Sequence, residues 1–290
     1  MRARLRPLLS PGRRACQEAR LFAATLPYRL ASVGRPRSHD LPGELVVSVT
    51  SWPPRFPTLH RTLRCLLAQT VTADRVVLWV ADGDAPLLPR KVARLAARGL
   101  EVRTTPDLGP FKKLIPALEA FPGAFLVTAD DDVFYPPNWL ETLVSGFLAG
   151  EPAIVCHRAH RPRAGADGRV APYSLWERDV QDEAARHASG AIIPTGVGGI
   201  LYPPGSLDPL AGDRMLAAAL CPTCDDFWFF WMARRKGSLV RKVGPRFPYR
   251  EWPGSQRATL HTGNLGGGYD RQLAALSARF GTPEGLAPPR

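Results

Sequence analysis

Two clusters of carboxylates carry the strongest chemical signal in this sequence: Asp130-Asp131-Asp132 and Asp225-Asp226. The first follows directly on the apolar run Phe125-Leu126-Val127-Thr128-Ala129. Adjacent anions at the end of a buried strand repel one another and lose hydration, so a cation is needed to neutralise them. In extended backbone, residues i and i+2 point to the same side, which makes Asp130 and Asp132 converge. Two convergent carboxylates are hard oxygen donors. They suit Mg²⁺ or Mn²⁺, whose shell is completed by phosphate oxygens of a substrate. The competing reading is a solvated acidic turn that caps the next helix. Against it, Pro136-Pro137 intervene, and three acids exceed what a cap needs.

The elements that must position these acids alternate along the chain. Leu45–Thr50 is a β-branched run closed by Trp52-Pro53-Pro54, a strand by its composition. Leu59, Leu63, Leu66 and Leu67 follow at helical spacing. Arg75–Ala81, Leu100–Arg103, Ala124–Thr128 and Ala153–Cys156 read as further strands. Helices are expected around Val92–Ala96, over Phe111–Phe121 with a kink at Pro116, and over Asn138–Leu148. This alternation predicts an α/β fold with a mainly parallel sheet covered on both faces. In such sheets ligands gather at the carboxyl ends of the strands, where the Asp triplet lies.

Beyond His157 the pattern changes. Residues 158–190 read as a long polar surface excursion, followed by a Gly/Pro-rich piece, a helix around Arg214–Leu220 and the apolar helix Phe227–Arg235. A basic strand and a Gly-rich loop at 263–268 close the chain. The expected organisation is a basic, flexible segment over 1–43, a cofactor-binding half over 44–160, and a half with a C-terminal tail over 161–290 that builds the other wall.

On these residues the sequence resembles the GT-A glycosyltransferases, which use nucleotide-diphosphate sugars and a DxD metal motif, and within them the bacterial family-2-like branch. The matching pieces are Val47-Ser48-Val49-Thr50-Ser51, Ala81-Asp82, Thr128-Ala129-Asp130-Asp131-Asp132, and Asp225-Asp226 before an aromatic helix. The resemblance implies a Rossmann-like GT-A sheet and a role for each motif. Asp132 would be the principal metal ligand. Asp130 would contact ribose or metal, and Asp131 would join it at the donor. Thr50, Ser51 and Arg55 would hold the nucleotide, with Arg55 also able to reach the diphosphate in bidentate fashion. Asp82 would meet uracil or ribose, a turn residue in Asp82-Gly83-Asp84 being the alternative. Lys112 and Lys113, after Gly109-Pro110, would meet phosphate at a helix start, with a solvated face as the alternative.

Inverting transfer needs a carboxylate that takes the proton of the acceptor hydroxyl as it attacks the anomeric carbon. The resemblance points to Asp226 as that base, with Asp225 second. The family motif usually reads Glu-Asp where this chain has Asp-Asp, and helix capping is the competing role. The bare backbone of Thr195-Gly196-Val197-Gly198-Gly199, with Gly198 and Gly199 as the candidates, would approach the donor sugar, or would serve as a plain turn. His261 is a candidate third metal ligand. The stripe Phe227–Trp231 reads as core, with an acceptor platform as its alternative. Cys221-Pro222-Thr223-Cys224 lacks a second C-x-x-C and is discounted as a zinc or redox site. No G-x-x-x-x-G-K-[ST] string is present, which excludes a P-loop.

Charge then has to be reconciled with this chemistry. The 290 residues hold 38 basic and 26 acidic side chains, net +12, a value that invites nucleic-acid binding. Residues 1–40 hold nine arginines against Glu18 and Asp40, so +7 of the excess lies there. It reads as a tail that keeps an enzyme near anionic membrane or its acceptor, and no nucleic-acid partner is expected. Five scattered cysteines and the lack of an apolar run of bilayer length point to a cytoplasmic protein, peripheral at most to the inner face of the membrane. The expected activity is a Mn²⁺- or Mg²⁺-dependent transfer from a nucleotide-diphosphate sugar, with UDP the favoured base, to a glycan, polysaccharide or lipid-linked hydroxyl. A nucleotidyltransferase of similar fold and a basic nucleic-acid-binding protein are the alternatives. The segment Trp52-Pro53-Pro54-Arg55 after the first strand argues against the former.

Overall fold

The computed structural model describes residues 4–5, 11–30, 36–165, 169–259 and 264–286. Seven strands form one sheet: β1 (Leu45–Thr50), β2 (Arg75–Ala81), β3 (Leu100–Thr105), β4 (Phe125–Ala129), β5 (Ala153–Cys156), β6 (Ile200–Tyr202) and β7 (Leu239–Lys242). Their spatial order is β7-β5-β6-β4-β1-β2-β3. All pairs are parallel except those of β6, which runs antiparallel between β4 and β5.

The near-continuous apolar runs of β1, β2 and β4 follow from burial on both faces. Side chains alternate across the sheet. Val46, Val77 and Leu126 join one core with Phe229, Trp231 and Met232. Val47, Val49, Leu78 and Val127 join the other with Leu59, Leu63 and Leu140. Helix α2 (Phe56–Leu66) buries Leu59, Leu63 and Leu66 of the expected leucine stripe together with Phe56, while Leu67 follows the helix and is half-buried.

Eight α-helices are described: α1 (Pro11–Leu30), α2, α3 (Arg90–Ala93), α4 (Ile115–Ala120), α5 (Trp139–Ser145), α6 (Arg214–Leu220), α7 (Asp225–Lys236) and α8 (Tyr269–Phe280). Helix α7 carries Asp225 and Asp226 in its first turn and Arg234, Arg235 and Lys236 in its last. Both ends complement the helix dipole, and Gly237 ends the helix at φ 90°.

Several expectations are corrected. Residues 111–121 do not form one kinked helix. A 3-10 turn over Gly109–Lys113 precedes α4, and Pro116 sits in the first turn of α4, where its missing N–H is no loss. Residues 158–190 are more than a surface excursion, because Ala171, Tyr173, Trp176, Val180 and Ala185 are buried in the first core. Regular structure begins ahead of Glu44, since α1 lies within the basic leading segment and Arg61 pairs with its Glu18 at 3.4 Å. The stripe Phe227–Trp231 is core, every member being at most 3% exposed. Among the described residues, no helix is long and apolar enough to cross a membrane.

The antiparallel strand β6 is what shapes the site. Ile200, its first residue, lies opposite Thr128 of β4 and Cys156 of β5. Because β6 starts where its parallel neighbours end, the loop Thr195–Gly199 is delivered to the carboxyl edge of the sheet, beside the Asp triplet.

Candidate active site

A cleft of about 880 Å³ opens at that edge. Thr50, Ser51, Arg55, Lys112, Lys113, Asp130, Asp131, Asp132, Asp225 and Asp226 all line it. The two acid clusters, distant in sequence, therefore face one space.

The Asp triplet is fixed by its backbone. The Asp130 amide donates to the Tyr135 hydroxyl at 2.8 Å. The Thr62 hydroxyl, on α2, donates to the carbonyls of Asp131 (2.9 Å) and Val133 (3.0 Å) and accepts the Trp252 indole N–H at 2.7 Å. Helix α5 starts at Trp139 behind Asn138, so the triplet does not cap it. The capping role proposed for Asp225-Asp226 likewise has no support, because no side chain caps α7.

Each acid has a specific partner. Ser51 donates its hydroxyl to Asp131. Arg55 pairs with Asp132 and stands 3.7 Å from Asp131, while the Gln256 amide also donates to Asp132. Lys113 bridges the clusters: its Nζ lies 2.9 Å from Asp130 Oδ1 and 3.0 Å from Asp225 Oδ2. The sheet itself holds Lys113 in place. Ser48 of β1 donates to the Lys113 carbonyl at 2.5 Å and accepts the Trp79 indole N–H at 3.0 Å. Asp226 differs from its neighbour, because both its oxygens accept the Gly196 amide, each at 3.1 Å.

Burial works against the charge on Lys113, yet Asp130, Asp225 and Asp226 hold its pKa well above the ordinary lysine range. Arg55 is kept charged in the same way, by Asp131 and Asp132 against the penalty of burial. Burial pushes Asp131 up to about 7; Arg55 opposes the shift and Asp132 adds to it. Burial and then the neighbouring Asp225 raise Asp226 to about 7, against Lys113. A carboxylate titrating near neutrality is matched to general-base work.

The remaining candidates fall in different places. Lys112 is buried and pairs with Asp107 at the cleft wall. Asp82 stands on an exposed turn outside the lining, where Asp84 faces the cleft instead. Gly198 and Gly199 lie behind the cleft, against Arg158 and Trp139 respectively; the neighbouring Gly196 is the glycine at the acids. His261 lies outside the described residues. Cys221 and Cys224 are buried free thiols whose pKa values burial raises, which makes them unreactive. Sequence reasoning missed Thr62, Tyr135, Arg158 and Gln256, none of which carries a local signal, and within the loop 195–199 it favoured Gly198 and Gly199 over Gly196.

A mixed, mainly parallel sheet with clustered carboxylates at its carboxyl edge is the arrangement expected of a GT-A glycosyltransferase. The model of glycosyl transferase family 2 matches residues 54–200, and the chain belongs to that family. No curated protein sequence matches it. Solved structures similar to it include glucosyl-3-phosphoglycerate synthase from Mycobacterium tuberculosis in complex with Mn²⁺, UDP and glucosyl-3-phosphoglycerate, at 17% identity, 96% of this chain, 87% of that one and TM-score 0.45. A mannosyltransferase from Pyrobaculum calidifontis with GDP-mannose and Mn²⁺ matches at 16% identity, 93% and 87% coverage and TM-score 0.40. The inositol-1-phosphate CTP transferase of T. maritima matches at 12% identity, 84% and 97% coverage and TM-score 0.41.

Proposed function

We propose that this glycosyltransferase moves a sugar from a nucleotide-diphosphate donor, a UDP-sugar by preference, to a hydroxyl of a glycan, polysaccharide or lipid-linked acceptor, with inversion and with Asp226 as the base. The observation that carries the reading is the Lys113 bridge, which ties the Asp triplet and the Asp225-Asp226 pair into one cleft. One cluster then serves the donor phosphates and the other the acceptor proton.

A divalent ion fits the residues present. The donors are hard carboxylate oxygens, and the cluster already attracts cations in the form of Arg55 and Lys113. Among the described residues no group of three or more His, Cys, Asp or Glu forms a metal site by itself. That suits an ion held by one or two carboxylates and completed by diphosphate oxygens. Asp130 and Asp132 would hold it, and when bound it neutralises charge on the leaving diphosphate.

Thr50 and Ser51, at the end of β1, border the nucleotide side of the cleft. Arg55 and Lys113 add fixed positive charge near the leaving phosphates, which strengthens as negative charge develops there. Asp225 is the lesser candidate for the base because it is buried and paired with Lys113. Asp226 is more open, its lone pairs are oriented by Gly196, and its raised pKa lets it accept a hydroxyl proton. Attack from the face opposite the diphosphate then inverts the anomeric carbon.

The test is product analysis. Purified protein with UDP-sugars and Mn²⁺ should release UDP with the sugar inverted, as read by mass spectrometry and proton NMR of the anomeric signal. Asp226→Asn should lower kcat by about 100-fold or more while still binding donor. No turnover of any nucleotide sugar, or a full rate in Asp226→Asn, would overturn the reading.

A further inference from the structure

Part of the cleft lining is basic and aromatic. Arg158, His160, Tyr173, Trp176, Arg178 and Phe227 form it. Resting on the proposed transfer reaction, we infer that the acceptor carries an anionic group, a carboxylate or a phosphate, beside the hydroxyl that is glycosylated, and that Arg158 and Arg178 bind it.

The pairing of the cleft's cations is the first support. On the donor side Arg55, Lys112 and Lys113 each have a close carboxylate. Arg158 shares the carboxylate of Asp179 with Arg246. Arg158 Nε stands 4.0 Å from it and Arg246 3.7 Å. Arg178, exposed at the cleft, makes no ion pair among the described residues and instead lies with its guanidinium 5.4 Å from the Tyr173 ring centroid. Arg178 thus brings a guanidinium to a cleft whose other cations are already paired with carboxylates.

The second support is the position of Arg158. Its Nη1 donates to the Thr195 hydroxyl at 2.9 Å, and its carbonyl accepts the Thr195 amide at 2.9 Å. Thr195 precedes Gly196, whose amide holds Asp226. Arg158 is thus fixed one residue away from the backbone that orients the proposed base. An anion held there places its neighbouring hydroxyl at Asp226. His160 lies beside it: its Nδ1 accepts the Asp179 amide at 3.0 Å, and its Nε2 stands 3.4 Å from Arg158 Nη1.

A third observation concerns Asp179, the sole non-glycine with positive φ among the described residues, at 53°. The left-handed turn at Asp179 follows directly on Arg178 and brings both beside the ring cluster. Tyr173, Trp176 and Phe227, with centroids 5.1–6.3 Å apart, pack as a buried ring cluster that supports the backbone carrying Arg178. An acidic sugar, or a sugar phosphate, meets the guanidinium groups at the cleft.

The probes are methyl β-glucoside, methyl β-glucuronide and glucose 6-phosphate, added to full-length protein and followed by ligand-observed NMR. The two acidic probes should bind with salt-sensitive affinity at least 10-fold above the neutral one, and comparison of the two separates carboxylate from phosphate. Arg178→Met, a surface change, and Arg158→Met should each weaken the acidic probes by about 10- to 100-fold, with Arg158→Lys intermediate. Equal binding of neutral and acidic probes, no binding of any, or unchanged binding in both Met variants would overturn the inference. So would a loss of donor binding in Arg178→Met, because it would place that residue at the diphosphate. Donor binding by the wild type is read separately by thermal shift. Its absence would sink the transferase reading, whereas its presence with indifferent acceptor probes would sink only this inference.

Discussion

The backbone amide of Gly196 donates to both carboxylate oxygens of Asp226, at 3.1 Å each. This contact exists because β6 enters the sheet antiparallel and so begins at the edge where its neighbours end. It also requires glycine. A Cβ at position 196 would stand 2.7 Å from Lys113 Nζ and 2.9 Å from Asp226 Oδ1.

Gly196→Ala should therefore impair chemistry more than folding. The atoms in its way are ends of side chains, which can move aside, so stability should change by about 1 kcal/mol or less. The displaced Asp226 and Lys113 should lower kcat by about 10- to 100-fold, since misplacement of a reacting group by about 1 Å has that effect. Paired thermal melts and donor turnover check both halves of the claim.

Gly199→Ala should do the reverse. Its φ is +90°, and an added Cβ would lie 2.4 Å from Trp139 Cζ2, inside a packed core. Trp139 is itself tied to this loop through its indole N–H, which donates to the Gly198 carbonyl at 2.7 Å. Strain and overpacking together should cost about 3 kcal/mol, visible as a lower urea midpoint at unchanged m-value.

The pH dependence of turnover should report Asp226. Its pKa is raised to about 7 by burial and by Asp225, and the base works only when ionised. The kcat should fall below about pH 7, approaching tenfold per pH unit, and should be level above it. Stability has the opposite sign. The folded carboxyl holds its proton up to about 7, whereas the unfolded one releases it near 3.8, so ionisation disfavours the fold as pH rises through that window. Asp226→Asn should therefore unfold at a higher temperature than the wild type at pH 8. Calorimetry alongside the rate profile tests this trade-off.

His157 should set part of the acid lability. It is buried, its Nε2 lies 2.9 Å from the Trp139 carbonyl, and burial pushes its pKa down from 6.5 to about 4. Between those values the unfolded chain binds a proton that the fold excludes. Stability is thus intact above pH 6.5 and lost as pH falls towards 4, by about 3 kcal/mol for this group. His157→Gln should flatten that portion of the stability–pH curve, as measured by urea unfolding at pH 4.5 and 7.

Much of the frame was legible in the sequence, for physical reasons. Strands such as Val76–Val80 are apolar throughout, and Val46–Val49 nearly so, because both faces are covered, and the α2 leucines repeat at the helical period. The acid clusters stood out because unneutralised carboxylates after a buried strand are costly. The partners of those acids were harder to see. Arg55, Lys113 and Gln256 reach the carboxylates through the fold, so no local spacing encodes the contacts. Strand β6 is only three residues long and follows glycines, too short for a periodicity to register. Tyr173 and Trp176 sit in a polar stretch without repeat, which is why a wall of the cleft was taken for surface.

The central claim is that the Asp triplet and the cleft form one metal-dependent nucleotide-sugar site. It is tested most directly by thermal shift of the full-length protein across UDP-, GDP- and ADP-sugars, with Mn²⁺ or with EDTA. For at least one donor at about 100 times its Kd, with Mn²⁺, the melting temperature should rise by about 5 °C. EDTA and Asp132→Asn should each abolish the rise. If no nucleotide sugar moves the melting temperature, or if the rise persists both in EDTA and in Asp132→Asn, the account is contradicted.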